Sequence, residues 1–206
     1  MKTMTSIETK IFNRIKRKER GWCFFASQFL DLGSREAVDT ALSRLTAGGK
    51  ITRIDRGLYY RPRIHSIIGM VAPDPDEVLR ALVESKKIKI LPDGPLAANL
   101  LGLSEQVPAK MEYVSDGLSK VIKVGSQKIF LKQMSRKIRP LGGTTSGIVV
   151  QALKYLYNQG IEDWQIEKLR CNLTQKDKKH LLENQSSIPI KLHSLVRQIA
   201  GENCFV

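Results

Sequence analysis

The sequence predicts an α+β fold in two parts, and three observations predict it. The first sixty residues hold amphipathic segments at helical spacing followed by an alternating, basic segment. Between residues 88 and 132, alternating segments are separated by Asp-Gly and Gly-Ser pairs. From residue 144 onward only helical stripes recur. At 206 residues, 42% apolar and 26% charged, the chain suffices for one large domain or two small ones. Pro62, Pro73 and Pro75 punctuate it after the basic segment, which sets the expected division at residues 1–65 and 66–206.

Thr9 to Lys18 places Ile11, Phe12 and Ile15 on one helical face, and the helix is expected to end before Gly21. Ser27 is a suitable N-cap for a short second helix, with Gly33 ending it in a left-handed turn. Ser34 then caps a longer helix from Arg35 to about Ala47, stopped by Gly48-Gly49. Its buried stripe is Ala37, Val38, Ala41, Leu42 and Leu45. The opposite face carries Glu36, Asp39, Thr40 and Ser43, with Arg35 and Arg44 on the flanks. A short turn between two such helices is the helix-turn-helix pattern.

Lys50 to Ile54 alternates like a strand, Asp55-Arg56-Gly57 supplies a turn, and Leu58-Tyr59-Tyr60 returns. Arg53, Arg56, Arg61 and Arg63 make this hairpin cationic. A basic hairpin directly after such a helix is a wing, so the first part reads as a winged helix-turn-helix, residues 1–65.

Charge supports an anionic partner. The chain carries 34 Lys/Arg against 20 Asp/Glu, a net +14. Residues 1–63 alone hold fourteen Lys/Arg against six Asp/Glu, or about +8. The expected duplex contacts are Ser27, Ser34, Arg35, Asp39, Thr40, Ser43, Arg44, Lys50, Arg53, Arg56, Arg61 and Arg63. The arginines need only charge and reach to meet phosphate. Glu36 reads as a partner of its helix N-terminus. Asp39 stays open: it suits a cytosine amino group, a neighbouring arginine or the same N-terminus. Winged helices also serve as protein-interaction modules, so the pattern alone does not decide for DNA.

In the second part, Pro73 to Asp76 forms a turn and cap before a helix with Val78, Leu79, Leu82 and Val83 on one face. Ile64 to Met70 reads as a short apolar linker. Ile88 to Leu91 is a strand, followed by a small-residue helix from Leu96 to Leu101. Lys110 to Ser115, Lys120 to Val124 and Lys128 to Lys132 are expected to form a three-stranded antiparallel meander, Asp116-Gly117 closing its first hairpin. Lys120, Lys123, Lys128 and Lys132 lie on its outward, solvated face. C-terminal helices follow at Thr144–Asn158, around Trp164 to Leu169, from Thr174 to Leu182, and from Ile188 to Ala200.

Chemistry is sparse. Cys23, Cys171 and Cys204 are odd in number and widely separated, and His65, His180 and His193 form no helical ligand pair. No metal site, cofactor or catalytic residue is expected. Asp93, Glu105, Glu112 and Asp116 are the carboxylates a metal-dependent nuclease would need, and their spacing argues against one. Asp93 and Asp116 read as turn formers. The charged first twenty residues show no signal peptide, and no apolar run reaches membrane-spanning length, so a cytoplasmic protein is expected.

Two stretches resemble the AbiEi-type antitoxins, regulators of abortive-infection toxin–antitoxin pairs in phage defence. Over residues 10–63 the resemblance rests on Gly21-Trp22, Ala26-Ser27, Asp31-Leu32-Gly33-Ser34-Arg35, Ala41-Leu42-Ser43-Arg44-Leu45, Gly49-Lys50-Ile51 and Arg56-Gly57-Leu58-Tyr59. Further on it rests on Leu91-Pro92-Asp93-Gly94, Ala97 to Leu103, Gln106-Val107-Pro108 and Ser115-Asp116-Gly117. The resemblance implies a transcriptional autorepressor that binds inverted repeats in promoter DNA. It implies an antitoxin in the C-terminal part, countering a co-encoded nucleotidyltransferase-like toxin functionally and at most transiently. Repeats imply two copies, through weak self-association or a dimer on DNA. A stand-alone regulator whose C-terminal part senses a ligand or dimerises is the alternative, and a nucleic-acid-cleaving enzyme the third reading.

Overall fold

Residues 6–67, 69–117 and 119–201 are described by the structure, a computed structural model. It is a mixed α+β molecule with small sheets and C-terminal helices. Two compact units emerge: one gathers the chain up to Ile88 with Ile122–Ile129, the other Lys89–Val121 and the chain from Phe130 onward.

The first unit begins with helix α1, Ile7–Lys16. Ser6 caps it by accepting from the Thr9 N–H at 3.2 Å, so it starts two residues before the position expected from periodicity. Strand β1, Cys23–Phe25, follows and was not expected. All three residues are buried, and a uniform apolar run that short has no alternation to betray it. The second α-helix expected behind Ser27 is instead a 3-10 helix, Ala26–Phe29. Phe29 is buried against Phe24 edge-on, centroids 5.4 Å apart, and Gly33 does not adopt a left-handed conformation.

Helix α2, Arg35–Ala47, matches expectation. Ser34 accepts from the Ala37 N–H at 3.3 Å, and Val38, Ala41, Leu42 and Leu45 are buried on the inward face. Strands β2, Thr52–Asp55, and β3, Leu58–Tyr60, form a hairpin turned at Gly57, whose φ of 74° suits glycine. β1 pairs antiparallel with β3, giving the sheet order β1-β3-β2. Ile11, Ile15, Phe24, Phe29, Leu42 and Leu45 close one core among these elements.

Ile64 to Met70 is not a packed linker. Strands β4, Arg63–His65, and β5, Gly69–Val71, make a two-stranded ribbon that leaves Ile64 and Met70 exposed. Helix α3, Pro75–Lys86, is capped by Asp74 and packs on β1.

Strands β6 (Ile90–Pro92), β7 (Met111–Ser115), β8 (Lys120–Val124) and β9 (Gln127–Gln133) form a sheet ordered β6-β7-β9-β8. The expected meander is therefore corrected: β7 and β8 are not neighbours, so Asp116-Gly117 closes no hairpin between them. β6 takes the far side of β7, with Leu91 opposite Val114. Alternation within β8 and β9 buries Ile122, Val124, Ile129 and Leu131 and leaves Lys123, Lys128 and Lys132 outward as read, but Lys120 shares the side of Ile122 and Val124, and Val121 is exposed in its place.

The second unit's core lies among its helices. Helix α4, Gly94–Leu100, packs on α5, Thr145–Tyr157. Thr144 caps α5 by accepting from Gly147 at 3.1 Å, and Val149, Ala152, Leu153 and Leu156 are fully inside. Helices α6 (Asp163–Asn172), α7 (Gln175–Glu183) and α8 (His193–Ala200) complete it, α7 opening on a Thr174/Asp177 capping box. No described helix is long and apolar enough to cross a membrane.

Candidate nucleic-acid interface

Helix α2 and the β2–β3 hairpin carry most of the residues expected to meet a duplex. Arg35, Glu36, Asp39, Thr40, Ser43 and Arg44 are all exposed on α2, while its apolar stripe points inward. Ser34 is committed to capping. A groove of about 460 Å³ is lined by Ser34, Glu36, Ala37, Thr40 and Arg44, among others.

The two carboxylates on this face are held by their own helix. Asp39 Oδ2 accepts from Arg35 Nε at 2.8 Å, one turn away. Glu36 has its carboxyl held below the usual range by its own backbone N–H and by the Ser34 hydroxyl. That is what a first-turn carboxylate gains from unsatisfied helical donors. Asp39 thus sides with the neighbouring-arginine option, and Glu36 with the helix N-terminus.

The cationic residues divide into two groups. Arg44 and Arg56 are exposed, and neither guanidinium has a partner among the described residues. Arg53 is exposed too, with Nε donating to the Asp55 carbonyl at 3.2 Å. The others brace the fold. Arg61 donates from one nitrogen to the carbonyls of Lys16 (3.1 Å) and Lys18 (2.7 Å), at and just beyond the end of α1. Arg63 Nε donates to the Arg20 carbonyl at 2.7 Å. Lys50 lies 4.0 Å from Glu8 and 5.1 Å from the Phe12 ring centroid. Ser27 is exposed in the 3-10 helix and caps no α-helix. Arg61, Arg63 and Lys50 read as DNA contacts in the sequence because their partners are distant along the chain and leave no local pattern.

In the second unit, carboxylates distant in the sequence meet. Lys132 bridges Glu112 and Asp93, the latter at 3.4 Å, although their spacing gave no sign of it. Hydrogen bonding to Glu112 raises the Lys132 pKa above its ordinary value. Asp93, read from the sequence as a turn former, is the N-cap of α4 and accepts from the Gly94 N–H at 2.9 Å, so the helix starts two residues before Leu96. Asp116 accepts from the Lys89 N–H at 2.7 Å, and Glu105 is exposed. Among the described residues no three His, Cys, Asp or Glu side chains gather as a metal would require.

One further pair escaped sequence reading. Ser146 Oγ lies 2.9 Å from His180 Nδ1 and donates to the Asp177 carbonyl at 3.3 Å. Ser146 is only 1% exposed, so the pair ties α5 to α7 and offers no reachable nucleophile. Burial pushes the Cys23 thiol up to about 12, whereas Cys171 is exposed. Cys204 lies outside the described residues.

Residues 10–181 match the model of DUF6088, a family of unknown function, and the chain belongs to that family. No curated protein matches it.

Proposed function

We propose that this DUF6088 chain is a DNA-binding transcriptional autorepressor that acts as the antitoxin of a toxin–antitoxin pair. In this reading α1, the 3-10 helix and α2 form the helix-turn-helix, and β2–β3 is the wing. One observation carries the proposal: Arg44, Arg53 and Arg56 all stand exposed to solvent on α2 and the adjoining hairpin. Arginines in that position contact phosphates and set the register of a helix in the major groove.

The antitoxin half rests on the resemblance to AbiEi-type proteins in the two stretches quoted above. The target is double-stranded promoter DNA with inverted repeats, occupied by two weakly associating copies. The C-terminal part counters a co-encoded nucleotidyltransferase-like toxin without a lasting complex, and the protein works in the cytoplasm without catalysing a reaction.

Two measurements test this. Purified full-length protein is titrated with its upstream DNA across a range of salt, and the reading predicts a steep loss of affinity as salt rises. No salt-sensitive affinity for any upstream fragment would end the DNA reading. Co-expression with the adjacent gene then tests the antitoxin half: growth rescue is expected. Repression without rescue would leave a stand-alone regulator.

A further inference from the structure

A second cationic groove lies in the first unit, away from α2. It has a volume of about 390 Å³ and is lined by Thr52, Arg53, Tyr60, Met70, Ala72 and Lys123, among others. Arg53 comes from β2, and Lys123 from β8, seventy residues further along the chain. No Asp or Glu is among the described residues that line it. Met70 and Tyr60 supply apolar surface, with the Thr52 hydroxyl 3.4 Å from Met70 Sδ.

The turn after β8 is seated closely enough to make this a defined cleft. A Cβ on Gly125 would fall 2.7 Å from Ala72 Cβ, and Gly125 has φ +61°. Only glycine combines that approach with that backbone. Ile122 and Val124 are buried on either side of Lys123, so the alternation of the strand fixes Lys123 outward.

We propose that this groove binds nucleic-acid backbone phosphate, so that Lys123 extends the duplex contact beyond α2 and the hairpin. The inference deepens the DNA-binding reading and rests on it. The chemistry is that of a phosphodiester: two cations of different elements, the Thr52 hydroxyl between the strands, and no carboxylate among the described lining residues to repel the ligand. Arg53 is then shared between the hairpin contact and the groove. The absence of a base-reading set beside Lys123 makes the contact insensitive to sequence.

The experiment uses the full chain and its upstream DNA fragment. Lys123→Gln is expected to weaken binding to specific and unrelated duplexes alike and to lower the salt slope by about 0.9, the value of one phosphate contact. Lys123→Arg is expected to keep the slope. Gly125→Val, which unseats the turn, is expected to match Lys123→Gln while a folding check by circular dichroism stays native. Salt-sensitive binding by the parent chain with an unchanged slope in Lys123→Gln overturns the groove and leaves the DNA reading standing. If the parent chain shows no such binding, the DNA reading itself has failed. Normal DNA binding by Lys123→Gln with lost protection against the co-expressed toxin overturns it too, assigning the groove to a protein surface.

Discussion

Arg35 and Asp39 neutralise each other across one turn of α2, Nε to Oδ2 at 2.8 Å. Asp39 raises the Arg35 pKa above its ordinary value, so the guanidinium stays charged but occupied. The pair hides one cation from an approaching phosphate and prevents one carboxylate from repelling it. Asp39→Ala removes the carboxylate and frees the guanidinium. Tighter DNA binding is expected, with a salt slope steeper by about 0.9. Weaker binding confined to one DNA sequence would instead make Asp39 a reader of a base.

Arg56 and Arg61 are five residues apart in the sequence and opposite in role. Arg56 is exposed with a free guanidinium, whereas Arg61 holds two carbonyls at the end of α1. Arg61→Ala leaves those carbonyls without their charged donor and is expected to destabilise the fold by about 2 kcal/mol, read by urea unfolding. Arg56→Ala is expected to leave stability unchanged and to lower the DNA salt slope. Equal stability losses in the two variants would reject this division.

What was legible in the sequence followed from local rules. Ser34, Asp74, Thr144 and Thr174 announce helices because a capping oxygen serves an N–H within three residues. Gly57 marks the hairpin turn for the same reason, since positive φ is a property of one residue. What stayed hidden depends on distant partners. Phe24 lies in a strand because Tyr59 faces it across the sheet, and β9 enters between β7 and β8 through pairing that no turn dictates. The interface shows the same split. The exposed face of α2 can be read from periodicity, but the withdrawal of Arg61, Arg63 and Lys50 into bracing contacts cannot. Lys132 with Asp93 and Glu112 is the extreme case, assembled from three separate elements.

Arg14 grips Asp31 with both terminal nitrogens, at 2.8 and 2.6 Å. Hydrogen bonding to Arg14 holds the Asp31 carboxyl below its ordinary pKa. A folded-state pKa below the unfolded one means that the contribution is full above the ordinary carboxylate range. It is lost as pH falls through the lowered value. Asp31→Asn should therefore be less stable than the parent near neutral pH, and the gap should begin to close below about pH 4. Asp31 is exposed and Arg14 partly so, so salt should narrow the gap as well. A difference that is constant from neutral to strongly acidic pH would show that the ion pair is not its source.

Gly94 sits buried at the start of α4, where a Cβ would lie 2.6 Å from Tyr155 Cβ on α5. Two effects of Gly94→Ala oppose each other. Alanine favours a helix over glycine by about 1 kcal/mol at an ordinary site. Forcing a methyl into a closed contact costs about 1–3 kcal/mol, because the neighbouring atom belongs to a side-chain stem that cannot rotate away. The helices would have to separate along the contact that joins α4 to α5, loosening Ala97 and Ala98 from Leu153 in the same core. The overpacking cost is expected to win, lowering the thermal midpoint of the full chain by a few degrees, on the order of 3 °C per net kcal/mol. A raised midpoint would mean that helix propensity outweighs the contact and that α4 is free to shift on α5.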